Sequence, residues 1–400
     1  MNIYLLIIVL LFYFAILHDI KKVSYKKNEH LNLIFVIFFL LAGLRHGIGG
    51  DTYQFRIFWD LLPSWNNATW EELTSYRYEM GWVLLSFVLK SIFGSFVSLQ
   101  ILLSLLLNIG IFKIVKRYSP YPFIVLLLFF LSIDQFFHIE CTFMRQAYAV
   151  AIFLIFGFEN LMHRKYIKYF FVIVLCSFMH FSALSLSILP LFWAINWENK
   201  RNIRKFIVFV ICFLVIILIA FNYTPLSQIK AILRFQQAME NAGEEVESNE
   251  LIRFFNVNFY LIFYVLIIFW GSIKFKFNIP FKGAVYFTIF IMLLAPYVGD
   301  FMRLMFFIII LIDISLSIVI AKFARKSSLL FLISIIFFFI GSNILNFQRY
   351  SNKDNMIFIY PYYSWFEEEP QSHKNYFRQR INDNYTISHQ IYDFNKMKNN

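Results

Sequence analysis

The strongest constraint on this chain is a succession of long apolar blocks, most of them without the period of 2 or 3.6 that marks a half-buried strand or helix. Blocks of about 17–25 apolar residues match a hydrocarbon core roughly 30 Å thick. Within such a core only a helix satisfies the backbone groups of a single segment. Candidate spans fall at 3–19, 31–45, 95–116, 120–138, 141–160, 166–181, 182–195, 206–222, 255–273, 283–299, 303–321 and 329–346. An all-α polytopic membrane protein with about twelve transmembrane helices is therefore expected. The composition agrees: 15% of residues are charged and 60% hydrophobic, against about 25% charged in soluble proteins. That leaves too little polar surface to cover a soluble domain.

Orientation follows from the charges. Six linkers are rich in lysine: Lys21/Lys22/Lys26/Lys27, Lys113/Lys116/Arg117, Arg164/Lys165/Lys168, Lys200/Arg201/Arg204/Lys205, Lys274/Lys276/Lys282 and Lys322/Arg325/Lys326. All six fall on one side if the segment Tyr78–Phe93 does not cross, and basic linkers mark the cytoplasmic side. Tyr78–Phe93 is short, carries Glu79 and Lys90, and reads as a re-entrant or membrane-surface helix. The first block lacks a basic n-region and a cleavage site, so it reads as a retained helix. The excess of 36 Lys and Arg over 24 Asp and Glu is thereby accounted for by topology, without nucleic acid. Cys141, Cys176 and Cys212 lack the spacing of a disulfide framework or a zinc site. The chain divides into a membrane domain, 1–346, and a polar tail, 347–400.

Residues 166–195 are too long for one span and break near His180, with basic clusters flanking both ends. Two short helices that enter and return are expected, an irregular arrangement tolerated where it lines a cavity. On the other, outer face the basic residues before the tail are Arg45, Arg56, Arg77, Arg145, Lys230, Arg234, Arg253 and Arg303. Arginine, unlike lysine, offers a planar fork that pairs with phosphate or carboxylate.

Four polar clusters then share that face. Arg45-His46-Gly47-Ile48-Gly49-Gly50-Asp51-Thr52-Tyr53 follows the second span, with glycines that allow a close backbone approach. Glu140 precedes Arg145-Gln146 at re-entry to the membrane. Arg145 either snorkels to the interface or pairs with Glu140. His180 stands at the helix break, and Asp300 and Arg303 lie three apart, close enough for a local ion pair. Membrane-edge ionisable groups are functional candidates. Tyr360-Pro361-Tyr362-Tyr363 in the tail offers rings for sugars or for the interfacial belt.

The chain resembles the EpsG-like, Wzy-type polysaccharide polymerases. The likeness rests on Arg45-x-Gly-x-Gly-x-Asp51 followed by Tyr53, on Glu79-Met80-Gly81-Trp82, on Arg145-Gln146, on His180-Phe181-Ser182-Ala183-Leu184 and on the late Arg303, in that order. The resemblance implies a glycosyltransferase of GT-C-like architecture in the bacterial inner (cytoplasmic) membrane. It would join oligosaccharide repeat units carried on undecaprenyl pyrophosphate at the outer face, with lipid pyrophosphate as leaving group. On that reading Arg45, Arg145 and Arg303 bind the pyrophosphate, and His180 or Asp51 serves as base or orienting group. Glu79, Glu140 and Asp300 are further candidates. Neither a metal nor a cofactor is implied; a chain-length regulator and a flippase are the expected partners. An O-antigen-ligase-like enzyme or a lipid-linked oligosaccharide flippase is the alternative.

Overall fold

The computed structural model describes residues 3–199, 201–202, 204, 208, 250–294, 299–325, 327–349, 362, 364 and 366, with the backbone alone at 250–258, 299–301 and 344–349. The expected span 206–222 apart from residue 208, the outer loop from 223 to 249 and most of the tail lie outside the described residues, and the loop's last residues, 250–253, open a helix. The described residues are helical, with no strand among them and a single isolated bridge between Arg45 and Ser364.

The N-terminal half runs through α1 (Ile3–Phe14, extended by a π-helical stretch to Ile20), α2 (Lys27–Gly43), α3 (Thr52–Leu61), α4 (Trp70–Ser75), α5 (Met80–Phe93), α6 (Phe96–Tyr118) and α7 (Pro122–Leu131). It continues with α8 (Met144–Ile152), α9 (Phe158–Met162), α10 (Tyr166–Met179) and α11 (Leu189–Ala194). After the undescribed stretch come α12 (Glu250–Phe275), α13 (Lys282–Leu294), α14 (Met305–Ala324) and α15 (Ser328–Arg349). The core is dominated by Phe, Leu and Ile, with a few buried polar residues among them; Phe38, Phe123, Phe129, Phe136 and Phe153 are fully buried.

Three described helices are long and apolar enough to cross a membrane, Ile3–Ile20, Phe96–Tyr118 and Met302–Ala324. A fourth crossing is available if Pro122–Leu131 and Phe136–Thr142, bent by 74° at their junction, form one broken span. Several expected spans are shorter apolar helices, among them Tyr166–Met179 and Lys282–Leu294. The difference has a physical cause: the apolar blocks contain turns at polar residues such as Ser132–Gln135 and His180, where the backbone leaves the α conformation.

The basic linkers do gather at one end. Lys116 donates to Asn32 at 2.8 Å, Arg117 pairs with Glu159 at 2.9 Å, and Arg325 donates to the Tyr121 hydroxyl at 3.0 Å. Lys322 reaches the Phe275 carbonyl at 3.4 Å, and Lys282 pairs with Glu198 at 3.2 Å. The break at His180 also forms as expected. Beyond it the chain turns into a 3₁₀ helix, Phe181–Ile188, and returns beside α10. Tyr169 donates to the Leu186 carbonyl at 2.7 Å and the Trp193 indole donates to the Met162 sulfur at 3.1 Å. Both contacts require the two segments to run back toward the basic end.

Candidate functional site

At the opposite end of the bundle, elements distant in sequence place their polar residues together. Glu79 stands at the N-terminus of α5. Its carboxylate pairs with Arg145 through one oxygen and accepts from the Phe181 backbone N–H at 3.1 Å through the other. The same second oxygen lies 4.0 Å from His180 Nδ1. Gly81 makes this approach possible: a Cβ there would come within 2.7 Å of the Phe178 carbonyl oxygen. Trp82 beside it is fully buried against Phe55, Phe58 and Tyr148, which fixes the start of α5. The Glu79-Met80-Gly81-Trp82 motif is thus one carboxylate and the packing that aims it.

Arg145 lies over the Tyr78 ring at 4.7 Å and the Phe55 ring at 5.8 Å, a cation–π setting that helps hold a charge near the membrane edge. Its partner is Glu79, not the neighbouring Glu140 expected from the sequence. The reason is direction: Glu140 belongs to the π-helical Phe136–Thr142, is wholly buried, and faces Arg45 and Asn108 instead.

His180 is 8% exposed and both ring nitrogens have company. Nε2 lies 3.4 Å from an Arg303 guanidinium nitrogen; Nδ1 lies 3.1 Å from the Ser182 hydroxyl and 3.3 Å from the Ser182 backbone nitrogen. Arginine presents only donors. Arg303 can therefore only donate to Nε2, and the Ser182 backbone N–H donates to Nδ1, so each ring nitrogen faces a donor, with the Ser182 hydroxyl beside Nδ1 able to donate or accept. Arg303, on the 3₁₀ turn Gly299–Leu304 that leads into α14, also stands 6.0 Å from the Phe143 ring centre, and its carbonyl accepts from the Gln146 side chain.

Burial pushes the Glu79 carboxyl up. The Arg145 guanidinium, the hydrogen bonds at the helix end and the nearby His180 outweigh it and hold Glu79 below the usual carboxylate range. Glu79 is therefore an anion between two basic groups at neutral pH.

Arg45 occupies a different layer. It has no exposed surface, and its guanidinium donates to the Ala42 carbonyl and, at 3.2 Å, to the Cys141 carbonyl. Thr52 Oγ donates to the same Cys141 oxygen at 3.2 Å. Gly49, at φ +99°, lies so close to Cys141 that any Cβ would overlap its carbonyl. The glycine loop thus grips the segment that carries Glu140, and three residues later the chain reaches Met144 and Arg145. Asp51 ends the loop at the N-terminus of α3, near enough to Tyr78 to act on it electrostatically. From the tail, Tyr362 donates to the Leu41 carbonyl at 3.1 Å and Ser364 pairs with Arg45 through the backbone. The structure therefore joins Glu79, Arg145, His180 and Arg303 directly, sets Arg45 and Glu140 behind them, and puts Asp51 at the edge. The side chain of Asp300 lies outside the described residues.

Sequence reading named Ser182 and Gln146 within motifs but gave them no role; Ser182 contacts the histidine ring, and Gln146 holds the turn bearing Arg303. Their adjacency to His180 and Arg145 was the available signal. It also passed over a buried group of Asp313, Gln135 and Tyr264.

Apolar helices too polar-poor for water define a helical membrane protein, and it carries a cluster of two arginines, a carboxylate and a histidine at one end. The EpsG family model matches residues 28–364, and the chain belongs to the EpsG family. Neither a curated protein nor a solved structure matches the chain. The family match ends at Ser364, the residue that pairs with Arg45, so the contacts of Tyr362 and Ser364 lie within the matched region. Membership supports a polymerase-like role in polysaccharide biosynthesis.

Proposed function

We propose that this protein is a glycosyltransferase that polymerises oligosaccharide repeat units carried on undecaprenyl pyrophosphate, acting at the outer face of the bacterial inner membrane. One observation carries the reading: Arg303 adjoins Nε2 of a histidine whose Nδ1 lies near a hydroxyl and near the Glu79 carboxylate, and that carboxylate pairs with Arg145. Loss of a lipid pyrophosphate develops negative charge on the leaving group, and fixed cations stabilise it. A sugar hydroxyl must lose a proton as it attacks, and a histidine with an ordinary pKa near 6.5 suits that task.

In this scheme the pyrophosphate draws Arg303 from Nε2 and engages Arg145 alongside it. The acceptor hydroxyl then donates its proton to Nε2 while its oxygen forms a bond to the anomeric carbon. The bond from that carbon to the pyrophosphate oxygen breaks, and its electron pair leaves with the lipid. Glu79 and Ser182 steady the resulting imidazolium. Asp51, at the edge of the cluster, orients the acceptor. Arg45 supports the site from behind through Cys141 and adds positive charge beside Glu140.

The test is Arg→Lys at 45, 145 and 303. Lysine keeps the charge and loses the fork, so each variant is expected to lose polymer and accumulate single lipid-linked units on sizing gels. Normal polymer from all three would refute the arginine clamp.

A further inference from the structure

Asp313 lies midway along α14, fully buried. An ionisable group inside a membrane helix faces a partner or a function. Among the described residues no Lys, Arg or His lies within ion-pair distance of it. Its partner is an amide: Gln135 Nε2 donates to Asp313 Oδ1 at 3.3 Å and to the Tyr264 hydroxyl of α12 at 3.3 Å. Gln135 is itself 1% exposed, and Tyr264 is fully buried.

The accounting of donors and acceptors is unbalanced in one particular way. Gln135 has two N–H bonds and both are used. Its carbonyl oxygen Oε1 is buried with no donor, and so is Asp313 Oδ2. Two members of a pair already joined by one hydrogen bond thus each hold an idle acceptor. A single proton on Asp313 corrects both at once, because a carboxylic acid and a primary amide close a ring with O–H to O and N–H to O. An ionised carboxylate would leave two buried acceptors and an uncompensated charge, a cost far beyond a fold's stability margin.

We propose that Asp313, Gln135 and Tyr264 form a proton-binding site inside the membrane domain, in which the Asp313 carboxyl carries a proton at neutral pH and donates it to Gln135 Oε1. The groups facing it from the packed elements are consistent with this assignment. Ser132, before the bend, is buried with its hydroxyl toward Tyr264, on which Tyr260 also acts; Asn343 of α15 is spent on Leu131 and Ile133 at the bend itself. Asp134 and His138, the nearest charged pair along that segment, lie 3.1 Å from each other. The site is separate from the Glu79–His180 cluster, yet it pins the bend from which the chain runs through Glu140 and Cys141 to Arg145 and Gln146. The proton therefore fixes the backbone that supplies those groups.

The experiment is infrared spectroscopy of the purified full chain in nanodiscs at neutral pH, comparing wild type with Asp313→Asn, together with melting in sodium and in choline buffers. A carbonyl band of a protonated carboxylic acid is expected in the wild type, shifted in D₂O and absent from Asp313→Asn. The amide of Asn reproduces both the donor and the acceptor of the protonated acid, so the variant is expected to fold and melt as the wild type does in either buffer. A missing band, a variant that fails to fold, or a wild-type melting temperature raised by sodium but not by choline would overturn the proposal. The sodium result would make the site a cation site instead.

Discussion

Replacing Glu79 by Gln keeps the shape of the side chain and removes the charge on which Arg145, the Phe181 N–H and His180 converge. The structure sets the expected size of the effect. The two side chains of the Arg145–Glu79 pair are 24% and 19% exposed, so the pair lies between the surface and the interior. Removing one partner of a fully buried pair costs about 3–5 kcal/mol, and exposed pairs are worth about 0–1 kcal/mol. An intermediate loss of about 1–3 kcal/mol is expected for Glu79→Gln. Arg145→Gln should cost a similar amount, because Glu79 is then left beside His180 without its main cation. If the two groups act on each other, the double variant loses less than the sum, with a coupling of about 1–2 kcal/mol. The assay is denaturant unfolding in micelles of wild type, both single variants and the double variant. Additivity within about 0.3–0.5 kcal/mol would refute the pair as the organising contact of the site.

Two further outcomes follow from the same geometry. Gly49→Ala places a Cβ on the Cys141 carbonyl at a φ of +99°; the backbone cost alone is about 1–2 kcal/mol, and the displaced Cys141 segment is expected to lower both melting temperature and polymer yield, whereas a neutral Gly50→Ala, where the nearest atom is 3.8 Å away, serves as the control. Because the Glu79 pKa is held below its unfolded value, its contribution to stability is complete above the ordinary glutamate range, about 4.3, and is lost as pH falls through the lower folded value. An acid titration of unfolding stability should show that loss in wild type and not in Glu79→Gln.

Much of this arrangement was legible in the chain. The apolar blocks, the gathering of lysine-rich linkers at one end and the break at His180 are all encoded locally, in hydropathy and charge, and the structure contains each of them. The number of clean crossings was not. Hydropathy averages over a window, and it passes smoothly across Ser132–Gln135 although the backbone there bends by 74°. Partners were legible only where they are neighbours. Glu140 is the acid nearest Arg145 in sequence, yet a π-helical turn points it inward to Arg45, and the acid that arrives is Glu79 from the start of another helix. Asp313 stands out in sequence as the one acid in an apolar helix, but its partners do not: its setting exists only against Gln135 and Tyr264, which come from two other elements. The glycine loop illustrates the converse. Its composition announced a close approach, but only the fold shows that the approach is to the Cys141 carbonyl.

The central claim is that the Glu79–Arg145–His180–Arg303 cluster polymerises lipid-linked repeat units, and the most direct measurement is the size distribution of lipid-linked glycans in a host lacking the gene, complemented by wild type or by His180→Ala. The account predicts a polymer ladder with wild type and, with both the deletion and His180→Ala, its collapse to single repeat units already on the outer face. A ladder that persists in the deletion, or single units trapped on the cytoplasmic side, would contradict it.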